Sequence, residues 1–488
     1  MNWDRLENRS QRNIIEHIII KGVLILDTPT GLGSGDVDGD TDLVILRDSL
    51  EDKALLMGSS IAGALRNYLR EFDYQTIKTS LLFGSDRSND EGEKSPLVVH
   101  DALSKDIIKV ELRDGVKIDS STGTATDKAK YDLELLEGGT KFDLCFELLI
   151  EENREQLIAE LLIVLQGLEK GEINIGMKKR RGFGRCHVQE WQVWKFDLKK
   201  VEKLREWLKF EHWTTGLLPE FKIYQSISEA FTHLGIKTES KIEDRRNRLT
   251  IEAVFTLTAP LLIRSAQADI QKVPDDVHLK SKRDNVLKSI VSGTSLAGVL
   301  RHRAERILNT LEVNKKIIDE IFGFVRDKND LEYKNSLEKA QASRLVVEES
   351  IINESNDFVQ TRIAIDRFTG GALHGALFQE QPVFYNQKTN FDLKLELRQP
   401  KDYEVGLLLL LLKDLWTGDL PIGATNSIGR GRLQGKEATI TWQREKNPKK
   451  WLIKASDNEL QVEDLLNKKH TSRKVQEELN DIVSQLIQ

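Results

Sequence analysis

The stretch "GLGSGDVDGDTD", Gly31 to Asp42, places four carboxylates on a glycine-rich loop. Carboxylates gathered in this way hold a cation or move a proton. Asp36, Asp38 and Asp40 alternate as calcium ligands do. An EF-hand started at Asp36 would need glycine at its sixth position and glutamate at its twelfth, where this chain has Thr41 and Arg47. Arginine cannot ligate a cation, so the EF-hand is excluded. Another cation site, a reacting carboxylate and a solvated turn stay open, because Gly and Asp are common turn formers. The opposite charge gathers in "KKRRGFGR", Lys178 to Arg185, with five cations in eight residues, and in "DRRNR", Asp244 to Arg248, with three more. On a chain of net charge −6, such clusters suit one polyanion held at a defined surface. Taken singly, each cluster also fits a solvated charge run.

The elements that position these residues come from a chain of 488 residues, long enough for two to four domains. Charged residues make up 31% and hydrophobic residues 39%, as in soluble globular proteins. The longest apolar run, Leu407 to Leu412, falls far short of a bilayer span. The polar start "MNWDRLENRSQRN" has no signal-peptide pattern. Cys145 and Cys186 cannot make a disulfide framework or a four-cysteine zinc site. A cytoplasmic protein with no membrane segment is expected.

Self-comparison shows a repeat. "GSSIAGALR", Gly58 to Arg66, matches "GTSLAGVLR", Gly293 to Arg301, in six of nine positions. "LLFG" ending at Gly84 matches "EIFG" ending at Gly323, and "IDSSTG" from Ile118 matches "IDRFTG" from Ile365. "GTKFDLCFEL" matches "KTNFDLKLEL", "GLEKGEINIG" matches "DLWTGDLPIG", and "GFGR" from Gly182 matches "GRGR" from Gly429. The order is the same throughout, so the chain is two copies of one domain. The expected division is 1–215 for the first domain, 216–248 for a linker, 249–445 for the second domain and 446–488 for a charged helical tail.

Each copy opens with an apolar strand, "HIIIKGVLIL" or "LTIEAVFTL". Ile251, Ala253, Phe255 and Leu257 alternate as in a half-buried strand. The acid-bearing loop follows, then a helix whose Ile61, Leu65, Leu69 and Phe72 share a face, with Ser59 or Ser60 placed to cap it. A later strand and an amphipathic helix precede the Gly/Arg loop and a last strand. The expected fold is α+β, two tandem domains each with a ferredoxin-like core.

The ordered set "TDLVILRD", "GSSIAGALR", "LLFG", "SPLVVHDAL", "VKIDSSTG" and "RRGFGR", with "GTSLAGVLRHRAERI", "SRLVVEES", "RIAIDRFTGGALHG" and "IGRGR" in the second copy, resembles the RAMP superfamily of CRISPR-associated proteins. More narrowly, it resembles the repeated backbone subunits of type III effector complexes (Csm/Cmr-like), here as a fused pair of III-D type. The resemblance covers nearly the whole chain, twice. It implies an RRM-like sheet in each domain, a thumb-type hairpin at Val116 to Thr140 and at Ile363 to Phe384, and a chain that lines up along CRISPR RNA with neighbouring backbone, signalling and capping subunits. It also implies cleavage of complementary target RNA by an aspartate after the first strand.

Mapped onto this chain, that aspartate is Asp42, with Asp276 of "DDVHL" as its counterpart. Asp40 and the rest of the loop would help to gather a divalent ion, Mg²⁺ or Mn²⁺, also at Asp276. The second loop departs from the pattern, being basic and carrying Asp275 beside the candidate and Asp269 upstream, so its activity is open. Expected RNA contacts are Lys178, Lys179, Arg180, Arg181 and Arg185, whose loop glycines allow close approach. The helix starts at Ser59, Ser60 and Ser295 are further candidates for holding phosphate. Arg66 and Arg301 are placed for a phosphate or for ion pairs. The second Gly/Arg loop offers only Arg430 and Arg432. A scaffold with one or both loops silent and a metal-free, precursor-processing RAMP nuclease are the alternatives. The tandem plan and the acid-rich loop speak against the last.

Overall fold

The structure, a computed structural model, describes residues 13–33, 44–73, 77–85, 93–119, 122–236, 242–265, 274–283, 286–326, 340–456, 459–467 and 469–487. The β-branched run "IIEHIIIKGVLIL" forms β1 (Ile14–Leu26), buried almost throughout, as expected of a strand covered on both faces. After it come α1 (Gly58–Phe72), β2 (Leu97–Val99), the hairpin β3 (Val110–Ile118) and β4 (Ala125–Leu136), β5 (Lys141–Glu151), α2 (Gln156–Glu169) and β6 (Cys186–Asp197). The sheet order is β2-β5-β1-β6, with every pairing antiparallel. That is the ferredoxin-like arrangement, with two crossing helices between the strands. On β5 the residues Phe142, Leu144, Phe146, Leu148 and Ile150 are buried and their neighbours are not, so period-two patterning aims one face at the helices. Helix α2 is apolar nearly all round and almost wholly buried.

The second copy repeats this plan. Its elements are β7 (Arg248–Leu257), β8 (Asp276–His278), β9 (Lys280–Arg283), α5 (Gly293–Thr310), β10 (Leu345–Val347), the hairpin β11 (Gln360–Ile365) and β12 (Ala372–Gln381), β13 (Asn390–Arg398), α6 (Asp402–Trp416) and β14 (Leu433–Gln443). Here α3 (Val201–Lys209) and α4 (Ile227–His233) of the first copy come before it. The sheet runs β10-β13-β7-β14, then adds β15 (Lys449–Ser456) and β16 (Glu459–Asp464).

Two expected boundaries are corrected. Residues 216–248 are not a linker: Ile227, Ala230 and Phe231 on α4 are fully buried in the first core. The segment after 446 is not only a helical tail. β15 and β16 extend the second sheet, and α7 (Ser472–Ser484) packs on α6 so closely that a Cβ at Gly406 would lie 2.7 Å from the Ile482 carbonyl. Alternating Trp451 and Ile453 on β15, and Val475 and Ile482 on α7, supply the apolar face that a free tail would lack.

The two copies meet along a charged seam. The Glu349 side chain has no solvent exposure. It accepts Nη1–H and Nη2–H of Arg113 at 3.1 and 3.2 Å and also takes Arg283. Arg113 also reaches Glu111, which accepts the Ser281 hydroxyl at 2.8 Å. Two guanidiniums thus face two carboxylates, and the charge balances inside the seam. Arg185 reaches Glu348 at 2.5 Å, Lys282 reaches Glu137 at 2.8 Å and Arg398 reaches Glu71 at 2.7 Å.

Candidate nucleic-acid interface

The basic loop sits at this seam. Lys178 takes left-handed backbone (φ 48°), Lys179–Arg181 make one 3₁₀ turn, and Gly182 and Gly184 return to positive φ. A Cβ on Gly182 would lie 2.5 Å from the Glu349 backbone nitrogen, so only glycine fits the approach to the second copy. The loop therefore carries its cations into a cleft of about 350 Å³ lined by Arg180, Arg181, Arg301, Phe322 and Gln341.

Two of these guanidiniums are held where burial and like charge disfavour the charged form. Burial, then neighbouring Arg398, disfavours the charged form of Arg180. Burial, then Arg301, does the same to Arg181. Arg181 Nη1 is shut from solvent and has no hydrogen-bond partner among the described residues. Its Nη2–H donates to the Phe322 carbonyl at 3.4 Å. Lys179 is exposed at the rim, its ammonium disfavoured by burial of its stem and by Arg180. An anion entering the cleft would relieve all three.

Other expected contacts are placed elsewhere. Lys178 lies over the Tyr131 ring, 3.7 Å from its centre, a cation–π contact. Arg185 is engaged by Glu348 across the seam. Arg301 lines the cleft but also donates to the Gly323 carbonyl at 2.8 Å and to Asp319 at 3.1 Å. Arg66 is half-buried on α1 and does not line the cleft. Phe183 is buried beside Leu133 and Leu135, a core role.

The two helix starts differ: Ser59 and Ser60 are exposed at the start of α1, and Ser295 is half-buried in α5. Ser59 and Ser60 do not cap α1; its N-cap is Met57, and the Gly58 N–H is taken by Asp101 Oδ1 at 2.6 Å. The tight approach of the Val99 carbonyl, 2.2 Å from a Cβ at Gly58, fixes this start. In α5, Ser292 is the cap and accepts the Ser295 N–H at 3.3 Å. The Arg181 carbonyl covers that helix start, 2.4 Å from where a Gly293 Cβ would stand. In the second copy, Arg430 is buried against Glu380 at 2.9 Å and Gln360 at 2.7 Å. Arg432 donates to the Gly418 carbonyl at 2.9 Å. Both are structural struts.

The sheet face of the first copy is also closed. Residues 207–221 lie over it. Buried Lys21 donates to the Thr214 carbonyl at 2.5 Å, and Trp194 packs on Phe210 and Phe221 at 4.9 and 5.2 Å. Hydrogen bonds from His100 and then His17 hold the Glu147 carboxyl well below the usual range beneath this cover.

Asp36, Asp38, Asp40, Asp42 and Asp269 lie outside the described residues. The stem of the acidic loop is described. Gly33 bridges Ile45, the Ile45 N–H meets Glu134 of β4 at 3.2 Å, and the Met177 N–H donates to the Gly31 carbonyl at 3.0 Å. The stem residues on either side of the acidic stretch thus lie beside the thumb base and the basic loop. The second copy keeps the same neighbourhood, with the Ala424 N–H on the Leu262 carbonyl at 2.7 Å. There Asp276 Oδ2 is paired to Arg264 at 3.0 Å, and Asp275 accepts the Gln379 N–H at 2.7 Å. Buried His278 accepts from the Ile263 N–H at 3.2 Å and donates to the Ile290 carbonyl at 3.0 Å, and burial pulls its pKa down to about 4. Among the described residues, no three His, Cys, Asp or Glu side chains are grouped so as to hold a metal ion.

Two ferredoxin-like domains in tandem thus meet at a seam whose basic loop lines a cleft. The RAMP superfamily model matches residues 23–187 and 254–434, well over half of the chain, and the chain belongs to that family. Its members are in general CRISPR-associated proteins that bind RNA and act in multi-subunit complexes. No curated protein matches the chain significantly. Among the described residues, no helix is long and apolar enough to cross a membrane.

Proposed function

We propose that the chain is a fused double-backbone subunit of a type III CRISPR effector complex, which holds CRISPR RNA across its seam and cuts complementary target RNA at the Asp42 loop. The observation that supports this reading is the cleft lined by Arg180, Arg181 and Arg301, in which buried Arg181 Nη1 has no hydrogen-bond partner among the described residues. A phosphate of the guide supplies the missing charge, and Lys179 at the rim meets the next one. Neighbouring backbone subunits, a signalling subunit and a capping subunit are the proposed partners.

Cleavage by a neighbouring 2′-hydroxyl needs in-line geometry and proton removal. Asp42 takes that proton as general base, and the cleft beside its loop stem holds the strand still. A divalent ion, Mg²⁺ or Mn²⁺, is proposed at the first loop on the chemistry of its donors alone: Asp36, Asp38, Asp40 and Asp42 are hard oxygen ligands. When bound it would relieve charge on the phosphorane. In the second copy the Arg264–Asp276 pair favours a silent or much slower site.

The test is purification of the chain, sequencing of its RNA, and replacement of Arg180, Arg181 and Lys179 by Ala. RNA with one uniform repeat-derived 5′ sequence, lost in the triple variant, is the expected result. A chain that purifies free of RNA and binds none would sink the reading.

A further inference from the structure

The seam is held at its centre and opposed at its rim. At the centre the charges balance: Arg113 and Arg283 share Glu349, and Arg113 also takes Glu111. At the rim the two copies turn cations toward each other. Arg180 and Arg181 of the first copy line the same cleft as Arg301 of the second. Arg398 of the second copy stands near enough to Arg180 to repel it. The carboxylates at hand are engaged on the second-copy arginines, Glu305 and Asp319 with Arg301, Glu71 and Glu396 with Arg398.

The backbones leave these cations little room to part. A Cβ on Gly182 would lie 2.5 Å from the Glu349 nitrogen, and one on Gly293 would lie 2.4 Å from the Arg181 carbonyl. Arg181 is pressed into the seam with Nη1 shut from solvent and unpartnered among the described residues. A buried charged donor left unmatched costs stability, and like charges repel more where water is scarce. Undocking returns water to Arg180 and Arg181. Without an anion these two residues therefore oppose the docking that Glu349 favours. An apolar side chain at position 181 would dock better; the cation is useful only where an anion enters.

We propose that RNA is the counter-ion that closes the seam: the two copies dock loosely at the rim without it and tightly with it, so that RNA binding and domain docking are one coupled equilibrium. This rests on the reading above that the chain holds RNA at the seam. The anion site needs Arg181 from one copy and Arg301 from the other, so it is complete only in the docked form. A ligand that binds one form stabilises it, and the docked seam must tighten RNA binding by the same factor. The spacing between the two domains is then fixed only in a chain that carries RNA.

The test reads hydrogen exchange in the full chain, over residues 178–185 and 345–352 on the two sides of the seam, with and without a synthetic single-stranded RNA. In the wild type, RNA at about 100 times its Kd slows exchange on both sides by up to about 100-fold, while β15, far along the second sheet, changes little. Arg181→Met slows exchange at the seam in the absence of RNA, because the buried cation is gone. The same variant binds RNA about tenfold more weakly, the size of one lost hydrogen bond to a charged group. Arg180→Met, made beside it, carries the same two signs. An arginine that merely holds the fold together would loosen the seam when replaced. Faster or unchanged RNA-free exchange in either folded variant overturns the proposal. So does a wild type that binds RNA with no change at the seam, although the RNA reading then stands. A wild type that binds no RNA overturns both.

Discussion

The two Gly/Arg loops have one backbone and two fates. Lys178 and Thr425 open them in left-handed conformation, Lys179–Arg181 and Asn426–Ile428 each make a 3₁₀ turn, and Gly182 and Gly429 close them at φ 86° and 87°. The first loop is clamped under the second copy. The second is bare: a Cβ on Gly429 would meet nothing within 4 Å, and Ile428 is 52% exposed. Glycine placement sets the shape of both. The neighbour and the side chains set what each can do, because Arg180 and Arg181 are cations short of counter-charge only where the second domain removes water from them.

The acid loops offer the largest test of that division. Asp42→Ala is expected to slow one cut in a matched target by about 10²–10⁴-fold, the usual weight of a positioned acid–base group, with target affinity unchanged. Asp276→Ala, whose carboxylate is already held by Arg264, is expected to change no cut by more than a small factor. Mapping cleavage products with both variants decides it. Equal losses from the two would show that the ion pair opens when RNA binds.

Next in size is the seam itself. Glu349→Ala leaves Arg113 and Arg283 buried without their shared carboxylate and is expected to cost about 3–5 kcal/mol, as broken buried pairs do. The counterpart in the first copy, Asp101, only caps α1, and Asp101→Ala is expected to cost about 1 kcal/mol. Urea unfolding of both variants, read at the first transition, gives the comparison. Equal costs would mean that the seam contributes nothing beyond a cap.

The repeat and the ferredoxin-like core were legible in the sequence because they are written in local patterns, such as the strand from Phe142 to Ile150 and the apolar α2, whereas the hairpins were placed by the resemblance and begin several residues earlier than expected. The seam was not legible. Glu111 and Arg113 fall before the hairpin expected from Val116, and Glu349 is one acid in "VVEES". Only the docking of two domains buries them together, 236 positions apart for Arg113 and Glu349. The same docking turned the basic loop from a surface feature into a cleft wall and covered the α5 start. The tail misled because "KKWLIKAS" carries its strand pattern between lysines, while the charged helix beyond it is plain. The acids of the first loop fall outside the described residues, and only the stem that flanks them is placed.

Glycine replacement separates strain shared by both loops from the clash that belongs to one. Gly182→Ala and Gly429→Ala each force a side chain into left-handed backbone, at about 1–2 kcal/mol. Only at Gly182 does the new Cβ also meet backbone of the other domain at 2.5 Å, adding about 1–3 kcal/mol of overpacking. Thermal unfolding should rank Gly182→Ala clearly below Gly429→Ala. Identical shifts would place the first loop free of the second copy in solution.

The smallest effect tests whether the residue or its place makes the RNA contact. Arg180 stands where the second loop has Ser427, so the two can be exchanged one at a time. Arg180→Ser is expected to weaken RNA binding several-fold and to lower the slope of log affinity against log salt by about 0.7, the value for one lost phosphate on a single strand. Ser427→Arg adds a cation to a loop with no second domain over it. There the guanidinium stays hydrated and gains little from a phosphate it meets in open water, so affinity and slope are expected to stay as in the wild type. Titrations at three salt concentrations resolve a change of this size. Should Ser427→Arg raise the slope by the same amount that Arg180→Ser lowers it, the bare loop also tracks the RNA, and charge alone, without the seam, decides where the strand is held.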